Sequence, residues 1–326
     1  MGQSDLLRLS GVRRYKNLRP LVVLPILFSF LSACPGPRKN FPIIDAHVHI
    51  QSLREAPPLL GAMDRLGIEK TILLASPAAT FDPRSGGFRD YEANNRAVLE
   101  IARRYPDRFL PFVTLDPQDP LKLEKFKQDL ANGAQGLKLY SGHRIFHERS
   151  LDDPGMEEIY AFCESYKIPV IFHVNAGFFE EEFHAVLRKF PRMKVVCPHF
   201  CLSTIATDRF ERLMENHPNL YTDLSFGPRK NLETALERFS RNPEKYRRLV
   251  LKYQDRILFG TDAVVTSQPG RGEEWLMELG RIYRSLLEEK DYDDIRYARG
   301  RRKGLYLPAQ ILRKIYYSNI YQFIAK

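Results

Sequence analysis

Phe41-Pro42-Ile43-Ile44-Asp45-Ala46-His47-Val48-His49 reads as an apolar strand that ends in a histidine-x-histidine pair. Alternate side chains of a strand share a face, so Asp45, His47 and His49 are expected to point the same way. Two imidazoles on one rigid face can grip a single metal ion, histidine being the commonest metal ligand. A pair of buried, hydrogen-bonded core histidines would leave the same pattern, and this segment alone does not separate the two.

Outward from it, short runs rich in Val, Ile, Leu and Phe alternate with longer helical patterns. The spacing predicts strands over 41–50, 70–75, 109–115, 135–141, 168–173, 194–199, 219–225 and 256–262. Helices are predicted over 59–66, 91–105, 121–132, 155–166, 180–190, 208–216, 232–253 and 273–289. The strand–helix unit recurs every roughly 25–40 residues, and eight such units over about 250 residues describe a TIM (β/α)8 barrel. The competing doubly wound sheet calls for a Gly-rich phosphate turn after the first strand. Here that strand ends in His-Val-His-Ile. Residues 292–326 fall outside the eight units and read as helices closing one end of the barrel, with a break near Ser318.

The chain has 326 residues, 44% of them apolar, and a net charge of +10. That length can bury one barrel-sized core or two smaller ones. Part of the charge is local: within residues 1–33, Arg8, Arg13, Arg14, Lys16 and Arg19 face Asp5 alone. The remainder is scattered, with no aromatic-interleaved basic stripe, which argues against nucleic-acid binding. The cluster Arg299-Gly300-Arg301-Arg302-Lys303 is the exception and reads as a solvated loop.

Residues 1–33 have the layout of an export signal. The basic stretch ends at Arg19 and is followed by the uncharged PLVVLPILFSFLSA, too short and proline-broken for a comfortable membrane span. Leu31-Ser32-Ala33-Cys34 resembles the lipobox of bacterial lipoproteins, in which the cysteine is lipidated. The expectation is a chain exported and held on a membrane of the bacterial cell envelope through Cys34, with residues 34–40 as tether. An uncleaved N-terminal anchor is the alternative. Of the remaining cysteines, Cys163 lies in a helical pattern and is expected to be buried. Cys197 and Cys201 flank His199; small buried thiols explain them better than a Cys-His-Cys metal site.

Active-site residues of a TIM barrel sit at the C-terminal ends of its strands. Those ends are polar here. They carry His47 and His49, then Lys138 and Tyr140, His173, His199, Asp223 and Ser225, and Asp262. Four of the eight histidines lie there, and burying them without partners would be costly, so a shared ion is a natural explanation. His143, Arg144 and His147 follow in the loop after the fourth strand and are candidate substrate contacts or solvated side chains. His184 reads as structural and His217 as a turn residue.

The segments IDAHVH, PVIFHVN, VVCPHF and ILFGTD, in this order, resemble the amidohydrolase superfamily. The similarity is closest to the amidohydrolase-related branch that includes aminocarboxymuconate-semialdehyde decarboxylase and pyrone-dicarboxylate lactonase. The resemblance covers essentially residues 41–326 and implies one metal-dependent barrel there. It implies His47, His49, His173 and Asp262 as ligands of a mononuclear divalent site. His199 would orient or deprotonate the attacking water, with Asp262 as a second catalytic group. Three imidazoles and a carboxylate suit one Zn2+ ion. In binuclear members a carboxylated lysine on the fourth strand bridges two metals, so a carboxylated Lys138 would bring a second ion. An unmodified Lys138 would pair instead with a substrate carboxylate, and this is favoured because the closest pattern is mononuclear. Lys138, Tyr140, His143 and Arg144 are the candidate substrate contacts.

Three functions follow. The first is a hydrolase cleaving a C–N or C–O bond of an amide, ester or lactone in a small molecule such as a carboxylate. The second is a non-oxidative decarboxylase of an unsaturated or aromatic acid. The third is a surface lipoprotein that binds a ligand without turnover. A homo-oligomer is compatible with all three.

Overall fold

The computed structural model describes residues 41–227, 229–294 and 300–325. The expected signal peptide, Cys34 and tether lie outside the described residues, as does Arg299. Nine parallel strand segments form one sheet: β1 Ile43–Ile50, β2 Ile68–Leu74, β3 Phe109–Thr114, β4 Gly136–Gly142, β5 Val170–Val174, β6 Val195–Val196, β7 Leu220–Asp223, β8 Ile257–Leu258 and β9 Ala263–Val265. Each of the first seven pairs with the next, and β7 pairs with β8. β9 pairs with β1, through Val48 and Ala263 onwards. β8 and β9 are two halves of the eighth strand, which joins its two neighbours with different halves. This is a closed TIM barrel, as expected.

Helices coat the outside. Ala56–Leu66 shows why they form: prolines in its first turn fit a helix start, and Gly67 ends it at a left-handed φ of 70°. Leu59, Ala62, Met63 and Leu66 share its buried face. Val48, Leu73, Val113, Leu137, Val170 and Phe172 meet such helices from the outer side of the barrel. Inside, Ile44, Ala46, Ile72, Leu74, Leu110, Phe112, Ile171, Val196, Tyr221 and Leu258 fill the lower barrel. Ile320 and Phe323 of the C-terminal helix Asn319–Ile324 join this cluster, closing that end.

Several boundaries differ from the sequence reading. The helix expected over 232–253 is two, Arg229–Arg241 and Pro243–Lys252, because Pro243 cannot continue the first one. The tail opens not with a helix but with an antiparallel hairpin, β10 Asp291–Asp294 and β11 Gly300–Lys303. Residues 300–303 are therefore a strand and not a solvated loop, with Arg302 buried against Asp294 at 3.0 Å. The break near Ser318 is a π turn, Lys314–Ser318, that leads directly into the last helix. Among the described residues, no helix is long and apolar enough to cross a membrane.

Candidate metal centre

β1 is not a regular strand. Its register against β2 shifts between Asp45 and Val48. Ile44 and Ala46 therefore face the lower core while His47 and His49 still face inward above it, and Asp45 does not share their face as alternation had suggested. Its carboxylate accepts hydrogen bonds from the Thr261 amide (3.0 Å), the Thr261 hydroxyl (2.6 Å) and the His47 amide (3.0 Å). Asp45 thus staples β1 to the break between β8 and β9. Burial raises its pKa to about 6 against those bonds.

Asp262 lies in that break with a left-handed φ of 51°. Gly260 permits the approach, since a Cβ there would stand 3.0 Å from the His47 Cβ. Asp262 Oδ1 lies 3.2 Å from His47 Nε2 and 3.1 Å from His49 Nε2, and the two Nε2 atoms are 3.2 Å apart. His199 Nε2 lies 3.7 Å from Asp262 Oδ2. The ligand atoms of His47, His49 and Asp262 fall within 4.8 Å of one another, and so do those of His47, His199 and Asp223.

The other ring nitrogens settle which atoms carry protons. His47 Nδ1 donates to Asp223 Oδ2 at 2.7 Å. Asp223 is held at about 2, its burial being outweighed by His47 and His199, so it can only accept. His199 Nδ1 lies 3.0 Å from the Ser225 carbonyl, another pure acceptor, and 2.9 Å from the Ser225 hydroxyl. The Ser225 hydroxyl donates to Asp223 Oδ1 at 2.6 Å. His49 Nδ1 lies 2.8 Å from Ser76 Oγ, whose proton goes to the Leu74 carbonyl at 3.1 Å. With Nδ1 the protonated nitrogen in all three rings, their Nε2 lone pairs face the space around Asp262.

Lone pairs and a carboxylate aimed at one point repel unless a cation sits among them. In the protein alone a proton is drawn there. Burial opposes it, yet Asp262 and Asp223 raise His47 to about 9. Burial lowers His49 to about 4, a neutral imidazole suited to metal ligation. Asp262 is held well below the carboxylate range, despite burial, by His47, His49 and His199. The donor set of His47, His49 and Asp262 fits a divalent ion.

His199 sits on an unusual turn. His199, Phe200, Cys201 and Leu202 all have φ between 52° and 60°, a left-handed turn without glycine that costs about 1–2 kcal/mol per residue. Phe200 is fully buried, with Phe210 at 4.6 Å between ring centroids, and the His199 amide donates to Asp223 Oδ1 at 3.0 Å. These contacts hold the strained backbone in place. The Cys197 thiol approaches the Val174 carbonyl (3.9 Å) and the Cys201 thiol the Cys197 carbonyl (3.7 Å), and the two thiols also meet each other.

Of the remaining expected residues, His173 stands beside this centre. Its ring lies 5.1 Å from that of His199 and 4.6 Å from that of His143, outside both groups of converging ligand atoms. Lys138 is fully buried, its Nζ without a hydrogen-bond partner and 4.9 Å from the Tyr140 ring. Burial lowers its pKa to about 8. Tyr140 is turned toward Ser76, its hydroxyl 2.8 Å from Oγ and 3.3 Å from His49 Nδ1. Arg144 is exposed over the Phe178 ring at 4.4 Å. His147 is tied to the Ser141 carbonyl at 2.9 Å. His184 and His217 form a buried pair at 2.6 Å. Ser76 was missed by sequence reasoning, although it directly follows the second predicted strand. Asp223 was noted only as a polar strand end.

Solved structures of the same fold are distant in sequence. An uncharacterized TIM-barrel protein from Bordetella bronchiseptica is 18% identical with a TM-score of 0.59, covering 87% of this chain and 99% of its own. A probable 2-pyrone-4,6-dicarboxylic acid hydrolase from Acinetobacter baumannii, with citric acid bound, is 13% identical with a TM-score of 0.56, covering 88% and 100%. A 5-carboxyvanillate decarboxylase from Novosphingobium aromaticivorans, complexed with manganese and a nitrobenzoic acid, is 13% identical with a TM-score of 0.54, covering 89% and 98%. No curated protein matches the sequence. The amidohydrolase family model matches residues 44–324, from the first barrel strand to the helix that closes the barrel, and the chain belongs to the amidohydrolase family.

Proposed function

We propose that the protein is a metal-dependent hydrolase that adds water across an amide, ester or lactone bond of a small molecule. The observation that carries this is the convergence of the His47, His49 and His199 lone pairs on Asp262. When bound, a divalent ion supplies Lewis acidity and brings the pKa of water down toward about 7; the nitrogen-rich donors favour zinc. His47, His49 and Asp262 would hold it. His199 Nε2 accepts the proton of the attacking water, because its Nδ1 is already committed to Ser225. Asp223 steadies both His47 and the turn that carries His199. Lys138 offers a buried positive charge to an anionic group of the substrate, which would supply the partner its ammonium lacks.

A panel of lactones, esters and amides, with and without an added carboxylate, tests this reading. Turnover that depends on divalent metal and is lost in His199→Gln supports it; metal-loaded protein inert toward the whole panel counts against it. The unpaired Lys138 ammonium also favours a second reading, non-oxidative decarboxylation of an unsaturated or aromatic acid. There carbon dioxide leaves and a proton takes its place on carbon. Carbon dioxide release in a screen of carboxylic acids separates the two. Hydrolase and decarboxylase both occur among proteins of this fold. From the sequence of residues 1–34, we further propose that the barrel is exported and tethered to a membrane through lipidated Cys34.

A further inference from the structure

His47, His49 and His199 carry their proton on Nδ1 and turn bare Nε2 atoms toward Asp262. His143, in the loop after β4, is set the other way round. Its Nδ1 accepts a hydrogen bond from the Ile145 amide at 3.3 Å, so its single proton sits on Nε2. Burial, then the Lys138 charge, lower its pKa and keep the ring neutral. Among the described residues, nothing hydrogen-bonds to that Nε2. We infer that His143 is a catalytic residue, a neutral donor whose Nε2–H binds the carbonyl oxygen of the scissile bond and stabilises the negative charge that develops there.

Its placement supports this. The His143 ring packs on that of His173 at 4.6 Å, which in turn meets His199 at 5.1 Å, so His143 flanks the metal centre from the β4 side. The loop fixes it before any ligand arrives. Its amide donates to the Tyr140 carbonyl (2.7 Å), its carbonyl accepts from the Phe146 amide (2.8 Å), and its ring meets that of Phe146 at 5.5 Å. A donor held this way needs no reorganisation as charge develops. A bare Nε2 suits a metal, whereas a protonated one can only donate, which sets His143 apart from the three converging rings. In hydrolysis the water oxygen bonds to the carbonyl carbon, and the C=O π pair moves onto the carbonyl oxygen. The water proton passes to His199 Nε2 and then to the leaving group as its bond to carbon breaks. His143 keeps its own proton throughout. The inference rests on the hydrolase reading.

Two near-isosteres separate this role from a structural one. His143→Gln places an amide N–H where Nε2–H stood and gives up the bond to Ile145. His143→Asn keeps an acceptor for Ile145 and loses the donor. On the lactone, ester or amide that the metal-loaded parent hydrolyses fastest, His143→Asn lowers kcat about 10²–10³-fold with little change in KM. His143→Gln stays within about tenfold of the parent and keeps the shape of its pH profile. Long-range 1H–15N spectra of the full chain, with the His143 signals identified by their loss in His143→Asn, show a neutral ring protonated on Nε2. The inference is overturned if those signals show Nδ1–H, if His143→Gln loses as much as His143→Asn, or if His143→Gln loses the acid limb of the parent's profile. An active parent with an unaffected His143→Asn removes the inference alone. A parent inert toward the whole panel removes the hydrolase reading, and the inference falls with it.

Discussion

His47 Nδ1 and Asp223 Oδ2 lie 2.7 Å apart, both fully buried, and are brought together by the first and seventh strands of the barrel. That bond fixes the protonated nitrogen of His47 and leaves the other for a metal. Asp223→Asn keeps the shape and removes the charge. Metal affinity is expected to fall about 10–100-fold, read by competition with a chromophoric chelator, while the fold is retained by circular dichroism.

His49 is held by a neutral partner instead. Ser76 Oγ lies 2.8 Å from His49 Nδ1 and 2.8 Å from the Tyr140 hydroxyl. A neutral hydrogen bond is worth about 1 kcal/mol, so Ser76→Ala and Tyr140→Phe are each expected to weaken metal binding roughly fivefold, less than Asp223→Asn. Equal or larger losses in the same competition assay would show that the two histidines are not anchored unequally.

The strand ends were legible in the sequence because polar residues there interrupt runs that otherwise read as core. His47, His49, Asp223 and Asp262 stand out for that reason. What Ser76 and Asp223 do was not legible, since each acts through a partner from another strand. Nor was the register shift in β1, because it depends on how the barrel closes: Asp45 bonds to Thr261, which lies 216 positions away. The turn at His199 was hidden differently. Its four residues have no glycine to announce a left-handed backbone, and tertiary contacts of Phe200 impose it.

That turn makes two buried cysteines respond differently to one substitution. Cys163 lies in the helix Glu157–Ser165, where valine fits at about 1 kcal/mol or less. Cys201 has φ 52°, where a β-branched side chain is strained. Cys201→Val is expected to cost about 2 kcal/mol or more in urea unfolding, and Cys163→Val clearly less.

Acid is expected to weaken the fold in part through His217, which is buried against His184. Burial, then His184 and Arg188, lower His217 from 6.5 to about 4. Above pH 6.5 both folded and unfolded chains keep it neutral. As pH falls from 6.5 to about 4 only the unfolded chain takes up the proton, so stability is lost across that window, on the order of 1–2 kcal/mol. Melting temperatures between pH 7.5 and 4.5 should fall less steeply in His217→Asn than in the parent protein.

Cys34 is expected to carry the lipid that holds the chain on a membrane. Full-length protein expressed in a bacterium should sediment with membranes and be released by detergent. Cys34→Ala should shift to the soluble fraction or retain its unprocessed mass. Unchanged membrane association at the processed mass would count against lipidation.

We propose that His47, His49 and Asp262 hold one divalent ion. Elemental analysis of protein purified without chelator, parent beside Asp262→Asn, tests it most directly. About one divalent ion per parent chain and a large loss in the variant are expected. A parent chain that carries no ion, and takes up neither zinc nor manganese at micromolar concentration, would contradict it.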